Sequence, residues 1–253
     1  MKILIITVAG MSTRFSQSLK KDCLKCIYYK TDIKESLLYR MISNNLNFDK
    51  YIIVGGYMYE HLKSVVENDF SQYLDKIILV NNEQYAEYGS GYSLYKGLKA
   101  AMEFDFDEIV FAEGDLYVDV QSFEKIYGSP HNVITINKEP IYADKSVAFY
   151  LDTNDTIHYI YSTEHSELEI GEPFKAVFNS GQIWKFVNAE RLKTVYKAIE
   201  YEEWQGTNLV FVQRYFQTIP SDEYDIIQFK NWVNCNTITD FDNYLKICEN
   251  ARH

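Results

Sequence analysis

The chain has 253 residues, of which 47% are hydrophobic and 24% charged, and its formal net charge is −11. This composition predicts one large hydrophobic core and argues against intrinsic disorder. The negative charge argues against binding to DNA or RNA, because basic side chains must replace the counterions of the phosphate backbone. No apolar run has the length of a signal peptide core or a membrane span, so we expect a cytoplasmic protein without a membrane partner.

Short apolar runs alternate with helical patterns in the first half of the chain. In chain order we predict strand 2–8, helix 33–45, strand 51–54, helix 57–67, strand 76–80, helix 90–103 and strand 108–112. Runs rich in Ile, Val and Leu without strict alternation are typical of strands buried on both faces of a parallel sheet. The repeated strand–helix–strand order therefore predicts an α/β fold with a doubly wound, mostly parallel sheet.

The second half has a different pattern. In chain order we predict strands 132–136, 147–151, 157–161 and 176–186, helices 189–201 and 208–218, strand 226–235 and helix 239–248. Strands that follow one another this closely indicate antiparallel hairpins. The sheet should therefore be mixed, with an antiparallel part contributed by the second half.

A loop of small residues follows the first predicted strand, and two basic residues come after it. The loop consists of Ala9, Gly10, Met11, Ser12 and Thr13. Ligands bind at the carboxyl ends of strands in open α/β sheets, where backbone N–H groups can approach phosphate oxygens. Arg14 offers a planar fork of donors for a polyphosphate, and Lys25 offers a compact positive charge. The alternative is a solvated basic loop, since the chain lacks a P-loop motif.

Residues 8–15, VAGMSTRF, together with Lys25 resemble the AAG-x-G-x-R-(F/L)…P-K signature of nucleotidyltransferases with a GT-A-like fold. This group includes sugar-1-phosphate, phosphocholine and molybdopterin-type members. Leu24 replaces the usual proline, and Met11-Ser12 replaces the usual x-Gly. The resemblance implies a Rossmann-like nucleotidyltransferase domain in which Arg14 and Lys25 are catalytic. It also implies that the loop residues Ala9 to Thr13 bind the nucleotide.

Residues 81–94 resemble the N-x-x-Y-x-x-x-N-x-x-S-L stretch of the phosphocholine cytidylyltransferase branch. The resemblance implies that CTP is the nucleotide and that this segment surrounds the base. The implied nucleotide-binding residues are Asn82, Gly89, Ser90 and Ser93. An ordinary glycine turn leading into a helix is the alternative for any one of them.

Two segments are candidates for a Mg²⁺ site. Asp115 follows the strand at 108–112 and resembles the aspartate of the family's x-G-D motif. Residues 232–241 resemble the late E-I-D-T-x-x-D-L motif, with Asn236 where the family has aspartate. Mg²⁺ takes one or two protein oxygens together with phosphate oxygens and water. Asp115 and Asn236 are therefore the implied ligands, with Asn234 as the alternative partner and a turn cap as the alternative role of Asp115.

Residues 178–183 resemble the N-x-G-x-Y strand that enters the acceptor pocket of the family. The implied acceptor-binding residues are Lys175, Asn179, Ser180 and Trp232. Candidate acceptors are small phosphorylated molecules such as phosphocholine, a phosphonate or a phospho-amino acid like phosphoglutamine, which would connect the chain with capsule or cell-surface polysaccharide biosynthesis. We expect a single domain, residues 1–253, in which 1–119 bind the nucleotide and 120–253 the acceptor.

Other interpretations of the sequence remain open at this point. A sugar-1-phosphate nucleotidyltransferase has the same first motif. A degenerate, nucleotide-sensing regulatory domain is favoured by Leu24 and Asn236. A dinucleotide-dependent oxidoreductase needs a G-x-G-x-x-G turn, and the first turn contains only Gly10. The Cys23-x-x-Cys26 pair has no second pair nearby, so we assign it neither a metal nor a redox role.

Overall fold

The computed structural model describes residues 1–161 and 167–250. Its main elements in chain order are β1 (Lys2–Thr7), α1 (Thr13–Leu19), α2 (Leu37–Ser43), β2 (Lys50–Gly55), α3 (Tyr59–Asp69), β3 (Ile77–Asn81), α4 (Ser90–Ala101), β4 (Glu108–Glu113), β5 (Leu116–Val118), α5 (Val120–Gly128), β6 (Asn132–Ile136), β7 (Ala148–Asp152), β8 (Ile157–Ile160), β9 (Phe174–Phe186), α6 (Ala189–Ala198), α7 (Tyr201–Trp204), α8 (Leu209–Gln217), β10 (Tyr224–Gln228), β11 (Trp232–Asn234) and α9 (Ile238–Asn250). Short 3-10 turns lie at Lys25–Ile27, Ile33–Glu35, Ser71–Tyr73 and Ser221–Glu223.

The main sheet has the strand order β10-β6-β9-β4-β1-β2-β3. β1 pairs in parallel with β2 and β4, and β2 pairs in parallel with β3. β9 runs antiparallel to both β4 and β6, and β7 and β8 add an antiparallel extension to β9. This arrangement confirms the predicted doubly wound, mostly parallel mixed sheet with an antiparallel part.

Both faces of the sheet are covered, which explains the continuous apolar strands. One face packs against α4, α6 and α8, and the other packs against α2, α3 and α5. Phe111 on β4 and Trp184 on β9 are fully buried, and their rings stack with centroids 5.2 Å apart. Within residues 1–161 and 167–250, none of the helices combines the length and the hydropathy that crossing a bilayer requires.

The predicted strand 226–235 is wrong, because the chain forms two strands in different sheets. β10 pairs with β6, whereas β11 pairs with β5. Between them Phe229 is buried, and the backbone N–H groups of Lys230 and Asn231 donate to the side chains of Ser122 and Asp119. These hydrogen bonds turn the chain away from the main sheet.

Three predicted helices have different bounds in the structure. The helix at 33–45 is divided into a 3-10 turn and α2, because Ser36 is extended and caps α2 by accepting from the Tyr39 N–H. The helix at 189–201 ends at Ala198, and α7 follows separately. The helix at 57–67 is shifted to Tyr59–Asp69. The sequence prediction missed α1 and α5 altogether.

Candidate functional site

A cavity of about 250 Å³ lies where β1 and β4 end, next to the start of α4. We call it the first cavity. Among the residues predicted to bind nucleotide or metal, those that line it are Ala9, Gly10, Ser12, Lys25, Gly89, Ser90, Ser93 and Asp115. The topology explains this convergence, because parallel neighbours place their carboxyl ends at the same edge of the sheet.

Four predicted residues from distant parts of the chain form one polar cluster beside this cavity: Arg14, Lys25, Asp115 and Asn236. The Lys25 ammonium lies 2.7 Å from Asp115 Oδ2 and 3.4 Å from Asn236 Oδ1. Arg14 Nη2 donates to the same Asn236 oxygen at 2.9 Å. The structure therefore brings together two cations, one carboxylate and one amide, which we call the polar cluster.

Backbone hydrogen bonds hold the segments that carry Lys25, Asp115 and Asn236 in place. The Lys25 backbone N–H donates to Ser12 Oγ at 3.2 Å, and the Cys235 N–H donates to the Asp115 carbonyl at 2.9 Å. Asp240, in the first turn of α9, accepts from the backbone N–H groups of Asn236 and Thr237. The loop that carries Asn236 is therefore fixed at both of its ends.

The donor set of the polar cluster fits a hard divalent cation. Asp115 Oδ1 is buried and accepts no hydrogen bond within the described part of the chain, although a buried carboxylate oxygen normally has a partner. The Asn236 oxygen points at the same group of charges. The described residues contain no cluster of three or more His, Cys, Asp or Glu, but Mg²⁺ needs only one or two protein oxygens when phosphates complete its shell.

Asn234 is less well placed than Asn236 for this purpose. Its Oδ1 accepts from Asn236 Nδ2 at 2.9 Å, so it supports the orientation of Asn236. Asn236 Oδ1, by contrast, faces Arg14 and Lys25.

The first loop has a residue in the left-handed conformation at the position where the nucleotidyltransferase signature that residues 8–15 resemble has glycine. Ser12 has φ 54° and ψ 28°, a conformation that glycine adopts most easily. Met11 and Thr13 are exposed and line a separate shallow depression with Tyr57. The structure thus brings Ala9, Gly10 and Ser12 to the first cavity but leaves Met11 and Thr13 outside it.

The glycines before α4 are used for packing. The N–H groups of Gly89 and Gly91 donate to the carbonyls of Gln205 and Gly206, so neither backbone N–H is free to contact a nucleotide base. A Cβ at Gly89 would lie 2.2 Å from the Gly206 carbonyl oxygen, which excludes any side chain there. Gly89 therefore borders the first cavity because it permits close approach of the segment before α8.

Asn82 acts on the first cavity indirectly. It is buried, its Nδ2 donates to Ser93 Oγ at 2.9 Å, and its Oδ1 accepts from the Gln84 N–H. It is absent from the cavity lining, whereas Ser93 is present. The predicted contact of Asn82 with nucleotide is therefore replaced by a role in positioning Ser93.

A second cavity of about 490 Å³ lies on the other side of the polar cluster, and Arg14 and Asn236 line it. Asn179 and Trp232, which the family resemblance implies as acceptor-binding residues, also line it. Trp232 Nε1 donates to the Gly181 carbonyl at 3.0 Å, which fixes the indole against β9. The polar cluster therefore lies between the two cavities.

Two predicted acceptor residues do not reach the second cavity. Ser180 is fully buried, and its Oγ accepts from the Gln182 N–H, so its role is structural. Lys175 lies near the outer end of β9 and pairs with Asp155 at 2.7 Å, with both side chains nearly half exposed. Lys175 lines neither cavity.

Several residues at these cavities were not predicted from the sequence. Gln182 lines the second cavity, is 2% exposed and has φ 58° at an irregularity in the β6–β9 pairing. Glu113 lines the first cavity, where burial and then the charge of Asp115 raise its pKa to about 7. Tyr85 and Tyr88 also line the first cavity. Glu113 has a sequence signal, an acid at a strand end beside Gly114-Asp115, whereas Gln182 has none apart from the adjacent glycine.

The C-x-x-C pair lies beside the first cavity but has the properties of a packed segment. Cys26 is buried, and this burial raises the pKa of its thiol to about 12. Burial also raises the pKa of Cys23, which is only partly exposed. Neither thiol has the lowered pKa of a reactive cysteine.

Solved structures with a similar fold include two CTP-using transferases. The inositol-1-phosphate CTP transferase from T. maritima superposes with a TM-score of 0.66 at 18% sequence identity, covering 95% of this chain and 91% of that chain. The CTP:phosphocholine cytidylyltransferase from Streptococcus pneumoniae superposes with a TM-score of 0.64 at 16% identity, covering 98% of this chain and 99% of that chain. At these identities the likeness establishes a common fold.

Sequence comparison gives a family without an assigned activity. No curated protein matches the chain. The model of a domain of unknown function, DUF6564, matches residues 21–248, which include Lys25, Asp115 and Asn236. The chain therefore belongs to the DUF6564 family.

Proposed function

We propose that this protein is a Mg²⁺-dependent nucleotidyltransferase that transfers CMP from CTP to a small phosphorylated acceptor and releases pyrophosphate. The observation that carries the proposal is the position of the polar cluster between the two cavities. Transfer between phosphates needs neutralised charge at the point where the two substrates meet. Lys25, Arg14, Asp115 and Asn236 occupy that point.

The reaction follows from this arrangement. A phosphate oxygen of the acceptor attacks the α-phosphorus of CTP, and the bond from that phosphorus to the oxygen bridging to the β-phosphorus breaks. Because a phosphate oxygen is already nucleophilic, the step needs no general base. Lys25 neutralises charge at the α-phosphate, and Arg14 binds the leaving pyrophosphate. When held by Asp115 and Asn236, Mg²⁺ supplies further charge neutralisation to the phosphate oxygens.

The choice of CTP rests on two observations. Residues 81–94 resemble the segment of the phosphocholine cytidylyltransferase branch, and the two solved proteins compared above are described as CTP-using transferases. The first cavity offers Tyr85 and Tyr88 to a flat base, with Ser90 and Ser93 at the start of α4 as hydrogen-bonding groups. Gly10 and Ser12 lie at the end of the cavity nearest the polar cluster.

The phosphate of the acceptor belongs on the side of the second cavity, where Asn179 and Trp232 lie beside Arg14. A phosphocholine, phosphonate or phospho-amino acid is small enough for this space, and a sugar 1-phosphate or inositol 1-phosphate is the alternative acceptor class. An acceptor phosphate at the polar cluster would lie within reach of Asn236.

Pyrophosphate release tests the proposal. The purified protein is incubated with Mg²⁺, each nucleoside triphosphate and a panel of phosphorylated amines, amino acids, sugars and inositol. We expect release that depends on CTP, Mg²⁺ and an acceptor. Lys25→Met should lower kcat/KM by about 100-fold or more, because it removes charge at the reacting phosphate. Lys50→Met, at the opposite end of the sheet, should change it less than about twofold.

Two results would contradict the proposal. Release that is equally fast in Lys25→Met and in the unaltered protein would refute the role of the polar cluster. Stabilisation by CTP with no release from any acceptor would instead support the nucleotide-sensing alternative, since a ligand that binds only the folded state raises Tm.

A further inference from the structure

A third cavity of about 220 Å³ lies beside the first and shares Ser90 and Glu113 with it. Ser146 lines both this cavity and the second one. Glu113 ends β4 and Asp115 follows in the turn after it, so the chain allows their Cα atoms to be at most about 7 Å apart. A small molecule whose phosphate lies at the polar cluster can therefore place its other end in the third cavity.

The lining of the third cavity is acidic. Glu113, which is half-buried, and Glu167, which is exposed, line it, and the described lining contains no lysine, arginine or histidine. Two acidic side chains with no cation in the described lining favour a cationic ligand, because opposite charges attract more strongly when water is partly excluded. The polar cluster, with Arg14 and Lys25, favours the phosphate of the same ligand.

Glu113 is held as a fixed hydrogen-bond acceptor. Asn208, which is 1% exposed, donates from Nδ2 to Glu113 Oε1 at 2.8 Å, and its own backbone N–H donates to Ser90 Oγ at 3.1 Å. The second carboxylate oxygen of Glu113 accepts no hydrogen bond from the residues that the structure describes. A carboxylate oriented in this way is preorganised for an N–H donor of a ligand.

The kind of cation follows from the rest of the lining. Quaternary ammonium groups, which have no N–H, are bound by several aromatic faces. Among the described residues that line the third cavity, Tyr161 is the only aromatic one, and it is 40% exposed. We propose that the acceptor carries a protonated primary amine and that Glu113 binds this amine in the third cavity. This inference rests on the proposed function, since it assigns the second end of the phosphorylated acceptor.

Calorimetric titration tests the inference without requiring turnover. The protein is loaded with Mg²⁺ and α,β-methylene-CTP and titrated with 2-aminoethyl phosphate, 2-hydroxyethyl phosphate and phosphocholine. We expect the primary amine to bind at least about tenfold more tightly than the other two, as is typical of a charge-assisted hydrogen bond. Glu113→Gln keeps the side-chain shape and its oxygen for Asn208, and it should abolish this preference. Glu124→Gln, exposed on α5, should retain it.

Glu167→Gln provides a second variant at the exposed rim of the cavity, and it should reduce the preference partially. Equal binding of the amine and the hydroxyl compound, or an unchanged preference in Glu113→Gln, would overturn the inference. Tighter binding of phosphocholine than of the primary amine would overturn it as well. Selective amine binding without pyrophosphate release from CTP would refute the proposed function and still support the amine site. CTP-dependent pyrophosphate release at the same rate from the amine and the hydroxyl compound would support the proposed function and refute the amine site.

Discussion

Substitutions at Ser12 can separate the backbone strain of the first loop from its hydrogen bond. Ser12 has φ 54°, and its Oγ accepts from the Lys25 N–H at 3.2 Å. A residue with a Cβ is about 1 kcal/mol less stable than glycine in this left-handed region. The hydrogen bond contributes about 1 kcal/mol in the opposite direction. The two terms therefore nearly cancel in the unaltered protein.

These magnitudes predict different results for two small substitutions. Ser12→Ala loses the hydrogen bond and keeps the strain, so its free energy of unfolding should fall by about 1 kcal/mol. Ser12→Gly loses the bond but relieves the strain, so it should be close to the unaltered protein and about 1 kcal/mol more stable than Ser12→Ala. Gln17, inside α1, gives the matched control: there glycine should be about 1 kcal/mol less stable than alanine.

Urea unfolding followed by circular dichroism measures all four variants. The comparison is valid where the m-value is unchanged, because then only stability differs. If Ser12→Ala were as stable as Ser12→Gly, or more stable, the left-handed conformation of this loop would be wrong.

Three further predictions concern the metal site, a buried lysine and an acidic turn. Asn236→Asp adds a carboxylate to the polar cluster. It should therefore lower the Mg²⁺ concentration that gives half-maximal thermal stabilisation with CTP roughly tenfold, whereas Asn234→Asp should lower this concentration much less. A larger effect of Asn234→Asp would assign the metal ligand to Asn234. Lys185 is 1% exposed and bonds to Glu108 and to two backbone carbonyls. Lys185→Ala should therefore lower the free energy of unfolding in urea by about 3 kcal/mol, whereas Lys175→Ala, at an exposed ion pair, should change it by less than about 0.5 kcal/mol. Similar losses in both variants would show that burial of the lysine does not determine the effect. Hydrogen bonds from backbone N–H groups, first that of Thr156, lower the pKa of Asp152. The ionised Asp152 therefore stabilises the fold fully above the ordinary pKa of about 3.8, and this contribution is lost as pH falls through the lower folded value. Asp152→Asn should flatten this part of a Tm–pH curve, and an unchanged slope would contradict the assignment.

The parallel half of the fold could be predicted from the sequence because its signals are local. β1, β2 and β4 are apolar runs buried on both faces, β3 is a half-buried apolar run at the edge of the sheet, and their composition identifies all four without knowledge of the partner strands. Some misses also had local signals. Asp119 caps α5 by accepting from the Ser122 N–H, and this D-x-x-S pattern precedes an amphipathic stretch.

Other features depend on contacts that sequence periodicity does not contain. The split of 226–235 arises because Asn231 and Lys230 bond to residues more than a hundred positions away. The amides of Gly89 and Gly91 are used by carbonyls of the segment before α8 for the same reason. The polar cluster was predictable because the family motifs name its members, whereas Gln182 and Asn208 act through tertiary geometry alone.

The position of β9 has a consequence for any attempt to divide or recombine this chain. β9 comes from the second half but lies between β4 and β6, so it supplies the neighbour of a strand from the first half. A fragment ending near residue 119 would leave the backbone groups of β4 unpaired along an apolar edge, which is a template for aggregation. A chimera that exchanges the second half of the chain between relatives must therefore keep residues 174–186 matched to β4 and β6, the strands that flank them.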